Sequence, residues 1–112
     1  MVCIYLIMKF ISIGKDFSRA PIGRYKSDGA FSGEVFREDI LKPALDSYQV
    51  IEIKIDDVEG YGSSFLDEAF GGLIRVHSFT KEELLNRIQI KYELPEFEVY
   101  QKLITKYIKQ EK

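Results

Sequence analysis

Residues 2–13, VCIYLIMKFISI, are apolar on both alternating faces, with Cys3, Tyr5, Ile7 and Ile11 on one and Val2, Ile4, Leu6, Met8 and Phe10 on the other. A strand of this kind is stable where both faces are covered, so the run predicts an interior strand of an α/β sheet and not one half of a wet hairpin. The same run excludes two other readings. Lys9 ends the apolar stretch after eight residues, far short of the roughly 20 that span a bilayer. It also lacks the basic leader and small-residue cleavage site of a secretory signal. A cytoplasmic protein with no membrane contact is the expectation.

The 112 residues of the chain leave room for one domain, 1–112, with a core that needs no metal or disulfide support. Apolar residues at 46% and charged residues at 30% describe a folded globular chain and argue against disorder. One cysteine and one histidine, Cys3 and His77, can build neither an internal disulfide nor a structural zinc site. Cys3 reads as a buried, inert thiol. The net charge of −2 gives no general attraction to nucleic acid. The mildly basic stretch holding Lys15, Arg19, Arg24 and Lys26 reads as a solvated loop.

Residues 14–31 carry Gly14, Pro21, Gly23 and Gly29 and predict a long loop with one short strand near Ile22–Tyr25. Ser32 opens a helix as its cap, Phe31 and Phe36 stand at the two positions of a hydrophobic staple, and Pro43 restricts the last turn. Ile51, Ile53 and Ile55 alternate with Glu52 and Lys54 as a second strand. A second helix follows over 64–76, where Ser64 and Asp67 have capping-box spacing. Thr80 and Glu83 repeat that spacing before a short helix over 80–87. Ile88, Ile90 and Tyr92 alternate as a last strand, and Pro95 starts a final helix whose apolar face is core or a dimer interface. The fold class is α/β: a small mixed sheet of about four strands with helices packed on it and at least one parallel crossover.

The stretch 55–76, IDDVEGYGSSFLDEAFGGLIRV, is where function is expected. A strand ends in acids, a glycine-containing turn follows, and two serines open a helix. Ligands of open α/β sheets gather at carboxyl ends of strands, and helix N-termini attract anions. With GRYKSDGAFSGEVFRED at 23–39 and SSFLDEAFGGL at 63–73, this order resembles the STAS domain of bacterial partner-switching proteins, and most closely its STAS-like relatives of unassigned function.

In antagonist members of that fold the motif Asp-Ser-Ser-Gly carries a phosphoserine written by an ATPase-type kinase. The matching positions here are Gly62, Ser63, Ser64 and Phe65, with Gly62 in place of the acid and Phe65 in place of the glycine. The resemblance implies a non-enzymatic signalling module that binds a protein partner of kinase-like ATPase type, with Ser64 as the phosphoacceptor and Ser63 beside it. It implies no cofactor. As residues alone, Ser64 reads first as a plain helix cap, the commonest role of a serine at this position.

A second reading makes this a small-ligand, nucleotide or phosphate site, in which the GYGSS turn (Gly60, Gly62), Arg24 and Arg37 hold an anion, with Ser32, Asp56 and Asp67 completing the ligand or partner surface. The alternative for the arginines is ordinary ion pairing with Asp28, Glu34 or Asp67. Asp56, Asp57, Asp67 and Glu68 could also form a carboxylate cluster, but Asp56 and Asp57 point to opposite sides of an extended strand. No catalytic set and no metal site is expected. Gly71 and Gly72 inside a helix cost roughly 1 kcal/mol each, which calls for another backbone packed closely against this face, a helix end or a docked partner helix. The expected assembly is a monomer or a weak homodimer.

Overall fold

The computed structural model describes residues 6–111. Strand β1 (Leu6–Ser12) runs into a single helical turn, α1 (Ile13–Asp16), whose cap Ser12 accepts from the Lys15 N–H. The expected strand at 22–25 does not form. The Asp28 carboxylate instead takes the N–H groups of Arg24 and Tyr25, and Ile22 N–H donates to Phe31 carbonyl, so the loop satisfies its backbone locally. Helix α2 (residues 33–47) is built in three parts: α-helical Gly33–Phe36, a π-turn Arg37–Leu41, and α-helical Lys42–Ser47.

Ser32 caps α2 as expected, accepting from Val35 N–H at 3.3 Å. The staple is closed by a third ring, since Phe17 lies 5.6 Å from Phe31 and 5.1 Å from Phe36. The wide turn ends just before Pro43, whose ring and missing N–H exclude a regular i→i−4 turn. Lys42 N–H accordingly reaches back to Arg37 carbonyl.

Strand β2 (Tyr48–Lys54) leads to helix α3 (residues 63–77), which repeats the build of α2 with Ser63–Leu66, a π-turn Asp67–Gly71, and Gly72–His77. Helix α4 (Lys81–Arg87) is capped by Thr80, which accepts from Glu83 N–H at 3.0 Å. Strand β3 (Ile88–Lys91) and a 3-10 turn (Pro95–Phe97) lead into helix α5 (Glu98–Gln110). Phe97, Ile104 and Ile108 of that last stretch are buried, so its apolar face is core and not an interface.

The sheet has the order β1-β2-β3, with both pairings parallel. Two expectations are thereby corrected: the described residues hold three strands and not four, and the sheet is wholly parallel and not mixed. Parallel crossovers are right-handed almost without exception, and two of them stepping the same way across a sheet lay their helices on one face. Burial follows that rule. Ile11, Ile51, Ile53 and Ile88 face the helices and are buried, whereas Phe10, Lys54, Gln89 and Lys91 point the other way and are exposed. Strand β1 is therefore an edge strand with one uncovered face, not an interior one: on that face Met8 is 37% and Phe10 66% exposed, and on the other face Ile7 is 80% exposed although Ile11 is buried. Cys3 lies outside the described residues.

Two contacts fasten the layers. Helices α2 and α3 touch where Gly33 has no side chain, since a Cβ there would stand 2.4 Å from Phe65 carbonyl oxygen. Past β2, Asp56 holds the turn after β3 by accepting from Glu93 and Leu94 N–H at 2.6 and 3.0 Å, with Lys54 Nζ at 2.9 Å from its other oxygen. Burial works to raise the Asp56 pKa, but these donors outweigh it and hold it at about 2.

Gly33→Ala is expected to lower stability by about 1–3 kcal/mol through overpacking against α3. Gly62→Ala, with open space around its Cβ, should cost under about 1 kcal/mol; urea titration of both variants checks the contrast. For Asp56 the folded pKa lies below the ordinary 3.8, so its stabilisation is complete above that value and is lost as pH falls toward 2. Chemical denaturation of wild type and Asp56→Asn should show a wild-type advantage of about 1–3 kcal/mol at pH 7 that shrinks across this acid window.

Candidate functional site

The turn after β2 is anchored from inside. Tyr61 donates its hydroxyl proton to Ile55 carbonyl at 2.7 Å and packs its ring on Phe65 and Tyr100. Burial, reinforced by the charges of Asp57 and Asp56, pushes its ionisation well up, so it stays a neutral donor. Gly60 turns the chain at φ 155° beside Tyr100 hydroxyl. With Tyr61 held, the next residues are delivered to the surface: Gly62 is the N-cap of α3, and Ser63 and Ser64 fill the first two helical positions, all three exposed.

The helix thus starts two residues earlier than a Ser64 cap requires. Gly62 has no side chain to offer, and no side chain caps this end. The expected Ser64–Asp67 capping box is not formed, because Ser64 is the second helical residue and not the cap, and Asp67 pairs with arginines instead. Arg24 Nη1 lies 2.8 Å from Asp67 and 3.2 Å from Glu68, and Arg75 Nη1 lies 3.2 Å from Asp67. Burial would raise the Asp67 pKa, but the hydrogen bonds from Arg24 and Arg75 outweigh it and keep the carboxyl below its usual range.

Below this pair runs a deeper one. Arg37 is almost wholly buried; its Nη1 lies 2.6 Å from a Glu68 carboxylate oxygen and donates to Glu68 carbonyl at 2.8 Å, while Nε pairs with Glu38 at 2.7 Å. Glu38 also meets His77 Nε2 at 2.6 Å, and Arg75 pairs with Glu111. Burial opposes the charge on Arg37, yet its carboxylate partners raise its pKa overall.

Of the residues singled out in sequence, Gly60, Gly62, Ser63 and Ser64 therefore share one exposed tip, and Arg24 and Asp67 meet beside it. Arg37 does not reach the tip; it is consumed by Glu68 and Glu38 in the helix interface. Ser32 is fully buried as the cap of α2, and Asp56 fastens the β3 turn, so neither contributes to a ligand surface. Asp28 and Glu34 accept backbone N–H groups, the latter from Lys26.

Glu68, Arg75, Glu38 and Glu111 escaped the sequence reading as members of this network. The one available signal was Gly72, four residues after Glu68 on the same helix face: a Cβ there would stand 2.2 Å from Arg37 Nη1. The neighbour at Gly72 is thus a guanidinium side chain and not the backbone expected there, and the helix does not end there.

A concavity of about 520 Å³ lies elsewhere, on the uncovered sheet face among Phe10, Lys54, Lys91 and Tyr92, and the serine tip takes no part in it. No group of three or more His, Cys, Asp or Glu among the described residues could hold a metal ion, and no helix is long and apolar enough to cross a membrane.

Among curated proteins and among solved structures none matches the chain. The model of one family does, described as the STAS-like domain of unknown function (DUF4325), over residues 32–93, from the cap of α2 to two residues past β3. That span covers more than half of the 112 residues and contains both three-part helices, the serine tip and the Arg37–Glu68 pair. The chain belongs to the family of STAS-like domains of unknown function.

Proposed function

We propose that the chain is a non-enzymatic regulatory module that docks a protein partner on the tip formed by the 60–64 turn and the start of α3, with Ser64 as the residue whose modification switches docking. The observation that carries this reading is the combination of exposure and idleness at the tip. Ser63 and Ser64 open a helix yet no side chain caps it, so the hydroxyls are left to the solvent. The acids one turn on, which would repel a phosphate, are already matched by Arg24, Arg37 and Arg75.

A phosphate on Ser64 would add nearly two negative charges and three acceptor oxygens beside free helix N–H groups. With the tip anchored through Tyr61, that change would alter the docking surface more than the fold. The resemblance to partner-switching antagonists supports an ATPase-type kinase as the partner class. The competing small-ligand reading has less support, because Arg24 and Arg37 already hold carboxylates and a phosphate would have to displace them.

Wild type, Ser64→Asp and Ser64→Ala, immobilised and exposed to source-cell lysate, test the proposal by mass spectrometry of the retained proteins and of Ser63 and Ser64 themselves. An ATPase-type kinase held by wild type and Ser64→Ala and depleted at least about tenfold on Ser64→Asp, about 1.4 kcal/mol of binding, is the expected result. Equal retention by all three, with no phosphate on either serine, overturns it. Both variants should keep their thermal stability within about 0.5 kcal/mol, as exposed positions do.

A further inference from the structure

Three arginines meet the two acids at the start of α3, and one of them is only half used. Glu68 is met by Arg24, Arg37 and Arg75, and Asp67 by Arg24 and Arg75. Arg37 is buried, and Arg75 has a further partner in Glu111. Arg24 reaches both acids through Nη1 alone, so its Nη2 and Nε have no partner among the described residues, and 29% of its side chain is open to water.

Both ends of Arg24 are fixed. Its backbone N–H donates to the Asp28 carboxylate at 3.1 Å, and its carbonyl accepts from Glu34 N–H at 2.9 Å. The guanidinium is held by an acid one turn above the serines, since Asp67 N–H donates to the carbonyls of Ser63 and Ser64. Helical side chains lean toward the N-terminus, and residues three and four apart share a face with Cβ atoms about 5–6 Å apart. Asp67 therefore holds Arg24 over the turn that carries both hydroxyls.

We infer that Arg24 is the clamp for a phosphate on Ser64. The inference rests on the reading of Ser64 as the switched residue. The kinase step moves the terminal phosphoryl group of ATP to Ser64 Oγ, which loses its proton, and ADP leaves. The phosphate then takes Nε and Nη2 of Arg24, the flat edge that pairs bidentately with phosphate, while Nη1 stays with Asp67. An anion in solution has to displace the acids to be held there. One tethered a turn away is present at high effective concentration and needs only the unused edge. Arg37 and Arg75 still face the acids, so no carboxylate is left without a cation. The open edge of Arg24 thus belongs to the docking surface before modification and is occupied after it.

The test uses the full chain with phosphoserine installed at Ser64 during synthesis, so it does not depend on a cellular kinase. Phosphorus NMR follows the second ionisation of the phosphate, at about pH 6. Its pKa should be at least about half a unit lower in the wild-type background than with Arg24→Gln, roughly threefold in the ionisation constant. Lys26→Gln, which takes a charge from the same loop, should leave that pKa unchanged. In nitrogen NMR of the labelled wild-type chain, phosphorylation should move the Arg24 Nε–H signal and not that of buried Arg37. Circular dichroism reports whether Arg24→Gln folds, and the nitrogen readout needs no variant. Equal phosphate pKa values with and without Arg24, an equal change with Lys26→Gln, or a stationary Arg24 signal overturns the inference. The lysate experiment decides the partner and the natural modification, these spectra decide Arg24, and the two failures are read apart.

Discussion

The Arg37–Glu68 pair is the contact around which the helical layer is arranged. Two unit charges buried at 2.6 Å hold together only because their remaining hydrogen-bonding capacity is used, by Glu68 carbonyl and Glu38 on the arginine and by Arg24 on the glutamate. Removing one member of such a pair typically costs about 3–5 kcal/mol, because the other is left charged and dry. Here the loss would spread. The guanidinium fills the notch at Gly72, and Glu68 shares with Asp67 the contact by which Arg24 ties the long loop to α3. The serine tip, anchored by Tyr61, begins the same helix that carries Glu68 of this buried ion pair.

The second constraint is topological. Each parallel step from β1 to β2 to β3 carries its helices to the same side, so a three-stranded sheet of this order makes a two-layer domain with one bare face. The serine tip belongs to the helical layer, and the exposed β1 residues belong to the sheet edge.

Much of this was legible in the sequence where a local rule decides. Ser32 and Thr80 cap their helices because a hydroxyl three residues before a free N–H is a short-range event. Ile51 and Ile53 are buried because period two puts them on one face. The misreadings involve distant partners. Period two marks β1 as apolar on both faces but says nothing of what lies beside it, so an edge strand read as an interior one. Capping-box spacing at Ser64 and Asp67 was real, but the helix starts before Ser64, and Arg24, 43 residues away in sequence, pairs with the acid. Arg37 lies 31 residues from Glu68, beyond the reach of any spacing rule.

The matched build of α2 and α3 has a consequence for how either helix is drawn. Each runs four α-helical residues, five of π and six more of α-helix, offset by 30 positions. A π-turn takes in one residue beyond the regular turn, which rotates everything after it by about 100° relative to an unbroken helix of 3.6 residues per turn. A single helical wheel therefore cannot describe either helix. Phe36 and Leu41 reach the same core five residues apart, and Phe65 and Phe70 do likewise. Each helix is two short amphipathic frames joined out of phase, and the phase slip is what lets one chain direction carry a core face, a buried charge and a surface tip in sequence.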